Sequence, residues 1–315
     1  DDKIAAPATV AVGGAVTVGE MYFNSTSAYT VAGAVPLSLD NGGLPAVLSA
    51  ELGSHTVAAP VAVPDAGLSV QAVAGTGVAL DGALSGSGPI VKTAGGSLAF
   101  GAANTRTGST TVQGGDLILK NGGNTGSGEL VLDNAGYVYS RGTAPAVLNN
   151  PVTLKSGAPI LQLDEQPLTL AGALDWQAGA ASLYKWGTND LVLAGTGSSG
   201  GTPRLFQRQG GLVFASGANY TLAGNTRESI KLGLNDNIKT SMAIEPGAKL
   251  KLGGILASAT ATTTVGNDVA ITQSGGTVEL TNTSGDNGDA LFLRDYGTAP
   301  AAYVMNGGSF TMPAA

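Results

Sequence analysis

Apolar residues along this chain recur with a period of two over short runs. Leu37/Leu39, Leu68/Val70, Val78/Leu80, Leu98/Phe100, Leu117/Leu119 and Leu130/Leu132 each enclose a single residue. The alternation returns at Val152/Leu154, Leu161/Leu163, Leu168/Leu170, Leu191/Leu193, Leu212/Phe214, Leu232/Leu234, Leu250/Leu252, Val278/Leu280 and Leu291/Leu293. That is the period of a strand that buries one face. Gly, Asn, Ser or Pro bound most of the runs, as turns require. Gly and β-branched residues interrupt every window long enough for a stable helix. The pattern therefore predicts an all-β chain.

The spacing of the runs selects the kind of β fold. The runs that start at Val78, Leu98 and Leu117 are almost evenly spaced, and those that start at Leu168, Leu191, Leu212, Leu232 and Leu250 nearly so. A hairpin protein would place strands every 8–12 residues or so, whereas a recurring period of about 20 marks a solenoid. One such coil cannot bury its apolar triplets alone. Stacking coils at about 4.8 Å pairs the backbones in parallel and closes a continuous core. The expected fold is a right-handed parallel β-helix with coils of about 20 residues, its handedness implied by the family resemblance described below.

A longer repeat overlies the short one. "LDGALSGSG" from Leu80 returns as "LAGALDWQAG" from Leu170, and "LDN" at Leu39 returns at Leu132. Lys92 and Lys185 stand at matching places before Gly-rich turns, as do Gly114-Gly115 and Gly210-Gly211. The chain reads as one solenoid over 1–315, with approximate super-repeats near 37–130 and 131–234 and a more divergent 235–315.

Composition narrows the options. Gly is 49 of 315 residues and charged residues are only 12%, against about 25% in an ordinary soluble domain. Too few charges are present to dress helical surfaces, yet hydrophobic residues are 43%, which argues against disorder. There is no cysteine, hence no disulfide and no thiolate chemistry. A net charge of −7 argues against nucleic acid and anionic membrane partners. No 18-residue apolar run exists, so no membrane insertion by a helix of this segment is expected. The start, Asp1-Asp2-Lys3-Ile4, lacks the basic and apolar regions of a signal peptide. Either a signal was removed or the sequence is a segment of a longer chain.

The stretch "SGSGPIVKTAGGSLAFGAANTRTGSTTVQGGDLIL", Ser85 to Leu119, resembles the passenger-associated transport repeat of bacterial autotransporters. It also resembles the autotransporter-associated β-strand repeat of large bacterial surface proteins. Gly86, Gly88, Ile90, Lys92, Leu98, Phe100, Asn104, Gly108, Thr110, Val112, Gly115 and Leu117 occupy the positions of that pattern. Arg106 stands where the family carries an aromatic residue. A second copy, Lys185 to Phe214, is looser and lacks the Asn and the Gly-x-Thr. "YVMNGGSFTM" near the C-terminus resembles a turn of the same proteins. The resemblance implies a right-handed parallel β-helix exported to the bacterial cell surface. It implies no activity. The family's membrane barrel is not in this sequence, so the expectation is a passenger or a fragment of one.

Chemistry-bearing residues are sparse. The single histidine, His55, sits in "ELGSHTVAAP" and reads as a surface turn residue, so no Ser-His-Asp constellation and no multi-histidine metal site can be assembled. Parallel β-helices also host pectin-degrading enzymes, but their paired Asp and Gly-His-Gly turns are not found. Asp164-Glu165 is the only adjacent acidic pair beyond the N-terminus and reads as the cap of a solvent-facing turn. Asp286 and Asp289 surround Asn287-Gly288 with hard oxygens suited to Ca²⁺, without the spacing of an EF-hand or of a calcium-binding β-roll. Trp176, Tyr184 and Trp186 read as filling a corner, with stacking on sugar rings as the alternative. "TPRLFQRQ", with Arg204, Phe206 and Arg208, reads as a loop inserted between coils.

These observations lead to a structural or adhesive module of a bacterial surface protein, extracellular, with no catalytic residues, no cofactor and no metal. Cell-surface glycans or host matrix surfaces are its expected partners. A polysaccharide-cleaving enzyme and a self-assembling filament or surface-layer subunit on the same scaffold are the alternatives. Neither end shows a capping helix. The C-terminal edge is expected to continue into further coils or to pair with another subunit, and the N-terminal strand to fold over its own end as a partial cap.

Overall fold

A computed structural model of the chain describes all residues except 1–3, 181, 201–203, 223–227, 234–238, 259–268, 283–289, 295–300 and 313–315. Among the described residues there is no helix, and the strands pair in parallel. The chain forms two compact units, Asp1–Pro151 and Val152–Ala315.

The N-terminal unit winds through three strand columns in turn. Its first sheet stacks Ala8–Ala11, Tyr29–Ala32, Ser54–Val57, Gly77–Leu80, Ser97–Phe100, Asp116–Lys120 and Tyr137–Arg141. The second sheet stacks Val16–Val18, Leu37–Leu39, Val61–Ala62 and Leu84–Ser85. The third stacks Glu20–Asn24, Ala46–Leu52, Leu68–Ala72, Ile90–Thr93, Thr110–Val112 and Leu130–Asp133. The first coil in the third sheet, where Glu20 pairs with Val47, is longer than the later ones, where Ile90 pairs with Thr110 and, in the first sheet, Ser97 with Asp116.

The second column changes character after Leu84–Ser85. The next two coils pass that corner without forming strands, yet backbone bonds continue: Thr105 N–H donates to Leu84 (3.0 Å) and Ser127 N–H to Arg106 (2.9 Å). The glycines there are positions of close approach. A Cβ on Gly108 would lie 2.1 Å from the Gly88 carbonyl oxygen, and one on Gly128 2.1 Å from that of Gly108. Only glycine lets three successive coils stack at this corner.

The C-terminal unit also has three columns. One sheet holds Ile160–Gln162, Leu183–Trp186, Leu205–Gln207, Ile230–Leu232, Ile255–Ser258 and Leu291–Arg294. A second holds Leu168–Leu170, Leu191–Leu193, Gly210–Phe214, Thr240–Ile244, Val269–Gln273 and Ala301–Met305. The third holds Val152–Ser156, Leu174–Trp176, Thr196–Ser199, Asn219–Leu222, Lys249–Leu252, Thr277–Leu280 and Ser309–Thr311. Coils lengthen along this unit, from the pair Leu191 and Leu212 to Leu212 and Met242, and again to Ile255 and Leu291. The ladders keep their register as the coils lengthen.

The fold is thus the expected parallel β-helix. The apolar triplets fill its interior: Leu68, Val70, Leu98, Phe100, Leu191 and Leu193 are almost fully buried. Leu293 departs from that rule, with 38% exposure, because its strand belongs to the last described coil. The N-terminal strand departs from expectation too. Ala8–Ala11 does not fold over its end; it pairs in parallel with Tyr29–Ala32 as part of a regular first coil.

Candidate functional site

Side chains at alternate positions of each strand point inward or outward, so a solenoid face is a column of every second residue. In the C-terminal unit the sheet through Leu183–Trp186 presents a column of rings and cations. Tyr184 lies opposite Phe206, and Phe206 opposite Lys231. The Tyr184 and Phe206 rings are 5.3 Å apart and tilted by 60°, a geometry favoured by the ring quadrupoles. The Lys231 ammonium is 5.9 Å from the Phe206 ring, and the Arg208 guanidinium 4.4 Å from that of Trp186. Each such cation–ring contact contributes about 0.5–1 kcal/mol at an exposed site. Ile160 and Gln162 continue the column opposite Tyr184 and Trp186.

The N-terminal unit carries a smaller cluster of the same chemistry. Tyr137 and Tyr139, two apart on one strand, stack with centroids 5.6 Å apart. Arg141 lies 3.9 Å over the Tyr139 ring. Ile118 lies opposite Tyr139 and Lys120 opposite Arg141. Lys120 reaches back to Asp81 at 2.7 Å, a half-exposed pair of small energetic weight. The third sheet of this unit differs: Ser69, Val91, Thr111 and Val131 stand opposite one another on its outer side, a column with neither rings nor charges.

The structure rearranges several expected residues. His55 is a correction: it lies inside strand Ser54–Val57, 2% exposed, and is not a surface turn residue. Its ring stacks on Phe23 at 4.5 Å. The Tyr29 N–H donates to Nδ1 (3.1 Å), and Nε2 donates to the Leu52 carbonyl (2.7 Å). Both nitrogens are engaged in holding the first coils together. Within "TPRLFQRQ", Leu205–Gln207 is likewise not an inserted loop but a strand in register with Leu183–Lys185. Its parity puts Leu205 and Gln207 inside and Phe206 outside. Trp176 is buried in the core, while Trp186 stands on the outer face of its strand. Asp164 and Glu165 are exposed in a turn, and Gln162 donates to Asp164. Asp286 and Asp289 lie outside the described residues. Among the described residues, no group of three or more His, Cys, Asp and Glu is placed to hold a metal ion.

Another set of polar residues, which period-two reading passes over, occupies the interior. Lys92 is fully buried, and its Nζ donates to Ala94 in its own corner and to Gly114 in the next coil, both at 2.7 Å. Lys185 does the same with Gly187 (2.5 Å) and Gln209 (2.6 Å). Gln207 donates to Gly210 and, at 3.0 Å, to Ser241. Gln273 donates to Gly276 (3.3 Å) and Ser309 (3.0 Å). In each case an inward side chain near the end of a strand donates to a carbonyl of its own corner and to one in the next coil, meeting the need of buried carbonyls for donors. Burial pushes both lysines down from the usual ammonium range to about 8. The signal was in the sequence: a polar residue at inward parity, followed within four residues by Gly.

Arg106 extends this device to the irregular corner. It is fully buried. Nη1 donates to Thr110 Oγ1 (2.7 Å) and the Thr125 carbonyl (3.0 Å), and Nη2 to the carbonyls of Gly88 (2.7 Å) and Ser109 (2.8 Å). Asn104 beside it accepts from the Leu84 N–H at 2.8 Å. One guanidinium thereby ties three coils where no strand forms. Desolvation lowers Arg106 to about 10, which leaves it charged at neutral pH. No protein-family model matches this sequence, and no curated protein or solved structure is significantly similar to it.

Proposed function

We propose that this chain is a structural and adhesive module of a bacterial cell-surface protein, a stiff β-solenoid spacer that presents its ring-bearing face to glycan or matrix surfaces. The observation that carries the reading is the outward column Tyr184–Phe206–Lys231 with Trp186–Arg208 beside it. Aromatic faces flanked by cations suit the apolar faces and hydroxyl rims of sugar rings. Parallel ladders with internally satisfied corners supply the stiffness. The export and cell-surface part of the proposal comes from the resemblance of Ser85–Leu119 to surface-protein repeats.

The two tryptophans provide the test. Trp176 is buried and Trp186 lies on the face, so a Trp176→Phe chain reports on the face alone. Titration with soluble glycans and matrix proteins is expected to shift Trp186 emission to shorter wavelength. Tyr184→Ala with Phe206→Ala should weaken binding at least several-fold. If neither a spectral shift nor retention on any immobilised glycan or matrix protein is seen, the adhesive reading fails.

A further inference from the structure

The ring face of the C-terminal unit also gathers cations that lack acids. Around strand Leu205–Gln207 the burial alternates, with Leu205 and Gln207 inside and Arg204, Phe206 and Arg208 outside. Two arginines thus flank one outward ring. Neither forms an ion pair or donates from its side chain to another residue among the described ones. Elsewhere on the surface Lys120 reaches Asp81 at 2.7 Å and Lys251 reaches Glu279 at 2.8 Å. Lys231, opposite Phe206, is 3.4 Å from Glu228. Asp164, Glu165 and Asp190 of the preceding coil lie outside its strands, and Asp164 already accepts from Gln162. A chain of net charge −7 therefore carries on this face Arg204, Arg208 and Lys231 against a single contacting carboxylate.

The geometry of Arg208 narrows the chemistry. Its guanidinium lies 4.4 Å over the Trp186 ring. Stacking uses the flat face of a guanidinium and leaves the N–H groups along its rim, the fork that a carboxylate accepts with both oxygens. Arg208 is held by a ring and has no acceptor for that fork among the described residues.

We propose that this face takes carboxylated glycans, chains of uronic acid units, and that Arg208 selects the acid form. The inference rests on the adhesive reading above and names the class of glycan. A uronate offers an apolar ring face to Tyr184 and Phe206 and a carboxylate at its rim to Arg208. Arg204 and Lys231 add attraction that depends on salt. Single-stranded nucleic acid uses the same pairing of rings and cations. Tyr184 and Phe206, tilted by 60° against each other, do not offer it the successive parallel ring faces that stacked bases use.

Retention of the chain on immobilised polygalacturonate and on its methyl ester, which share a backbone and differ in charge, tests this, with alginate, hyaluronan and single-stranded DNA alongside. Wild type should bind a polyuronate roughly tenfold more tightly than the ester, the worth of one hydrogen bond to a charged group. Raised salt should shrink that preference. Arg208→Gln should abolish it and leave the weaker, ring-dependent retention of the ester. Arg208→Lys, which keeps the charge and loses the fork, should fall between. Circular dichroism identical to wild type confirms that these outward substitutions leave the solenoid folded. Equal retention of acid and ester by wild type would overturn the inference and leave the adhesive reading standing. So would a folded Arg208→Gln chain that keeps the preference, or tighter retention on single-stranded DNA than on every polyuronate. No retention on any of the three polyuronates would overturn it as well.

Discussion

The Lys92 Nζ lies 2.7 Å from the carbonyl oxygen of Gly114, one coil away. A buried ammonium thus joins two turns through their backbones. Lys185 to Gln209, Gln207 to Ser241 and Gln273 to Ser309 repeat the arrangement. Such a bond contributes little net when made, but about 1–3 kcal/mol is lost when its buried partner is left bare. Coil spacing is therefore set at the corners as well as along the ladders.

The lysines predict a pH dependence. Burial lowers Lys92 and Lys185 to about 8 in the folded chain, against about 10.4 unfolded. Between those values the unfolded state binds more protons, so stability rises with pH. Below about 8 both states are protonated and the penalty is constant. Urea unfolding of wild type should show stability increasing from about pH 8 towards about pH 10. A Lys92→Met, Lys185→Met chain should lose that rise.

Arg106→Ala removes four bonds and takes the guanidinium donor from the Gly88 and Thr125 carbonyls, while the Ser109 carbonyl keeps the Ile90 N–H at 2.8 Å. A buried carbonyl left without a donor costs about 1–3 kcal/mol. The unfolding midpoint in urea should fall accordingly. An unchanged midpoint would show that the corner is held by its backbone bonds alone.

Gly108→Ala forces a Cβ to within 2.1 Å of the Gly88 carbonyl oxygen. Rigid backbone on both sides prevents relief, so the substitution should destabilise by at least about 2 kcal/mol. Gly75→Ala is the contrasting case. Nothing lies within 4 Å of its Cβ, and its φ is +84°, so it incurs backbone strain of about 1 kcal/mol without a clash. Thermal unfolding of both variants should rank Gly108→Ala as the more damaging.

Much of this architecture was legible from parity and spacing. The pairs Leu98/Phe100 and Leu117/Leu119 stand in register on adjacent coils, as their spacing requires. What escaped reading were elements whose inward residues are polar or whose strands are very short. Val61–Ala62 and Leu84–Ser85 have two residues each and so cannot show a period. His55, Lys92, Arg106 and Gln207 sit inward because carbonyls of tight corners need donors, a demand that hydrophobic patterning does not register. The outer ring column was hidden for the opposite reason. Tyr184 and Phe206 interrupt apolar alternation with apolar residues, and only strand register shows them to be neighbours on one face.

Parallel in-register stacking is the central claim, and the absence of native cysteine allows a direct measurement. Val91, Thr111 and Val131 face outward at matching positions of three successive coils. Neighbouring parallel strands are about 4.8 Å apart, within the Cα separation that a disulfide spans, whereas two coils are not. Oxidation of Thr111→Cys with Val131→Cys, and of Val91→Cys with Thr111→Cys, should give intramolecular disulfides in high yield. Val91→Cys with Val131→Cys should give almost none. Equal yields from all three pairs, or none from the adjacent pairs, would contradict the stacked register.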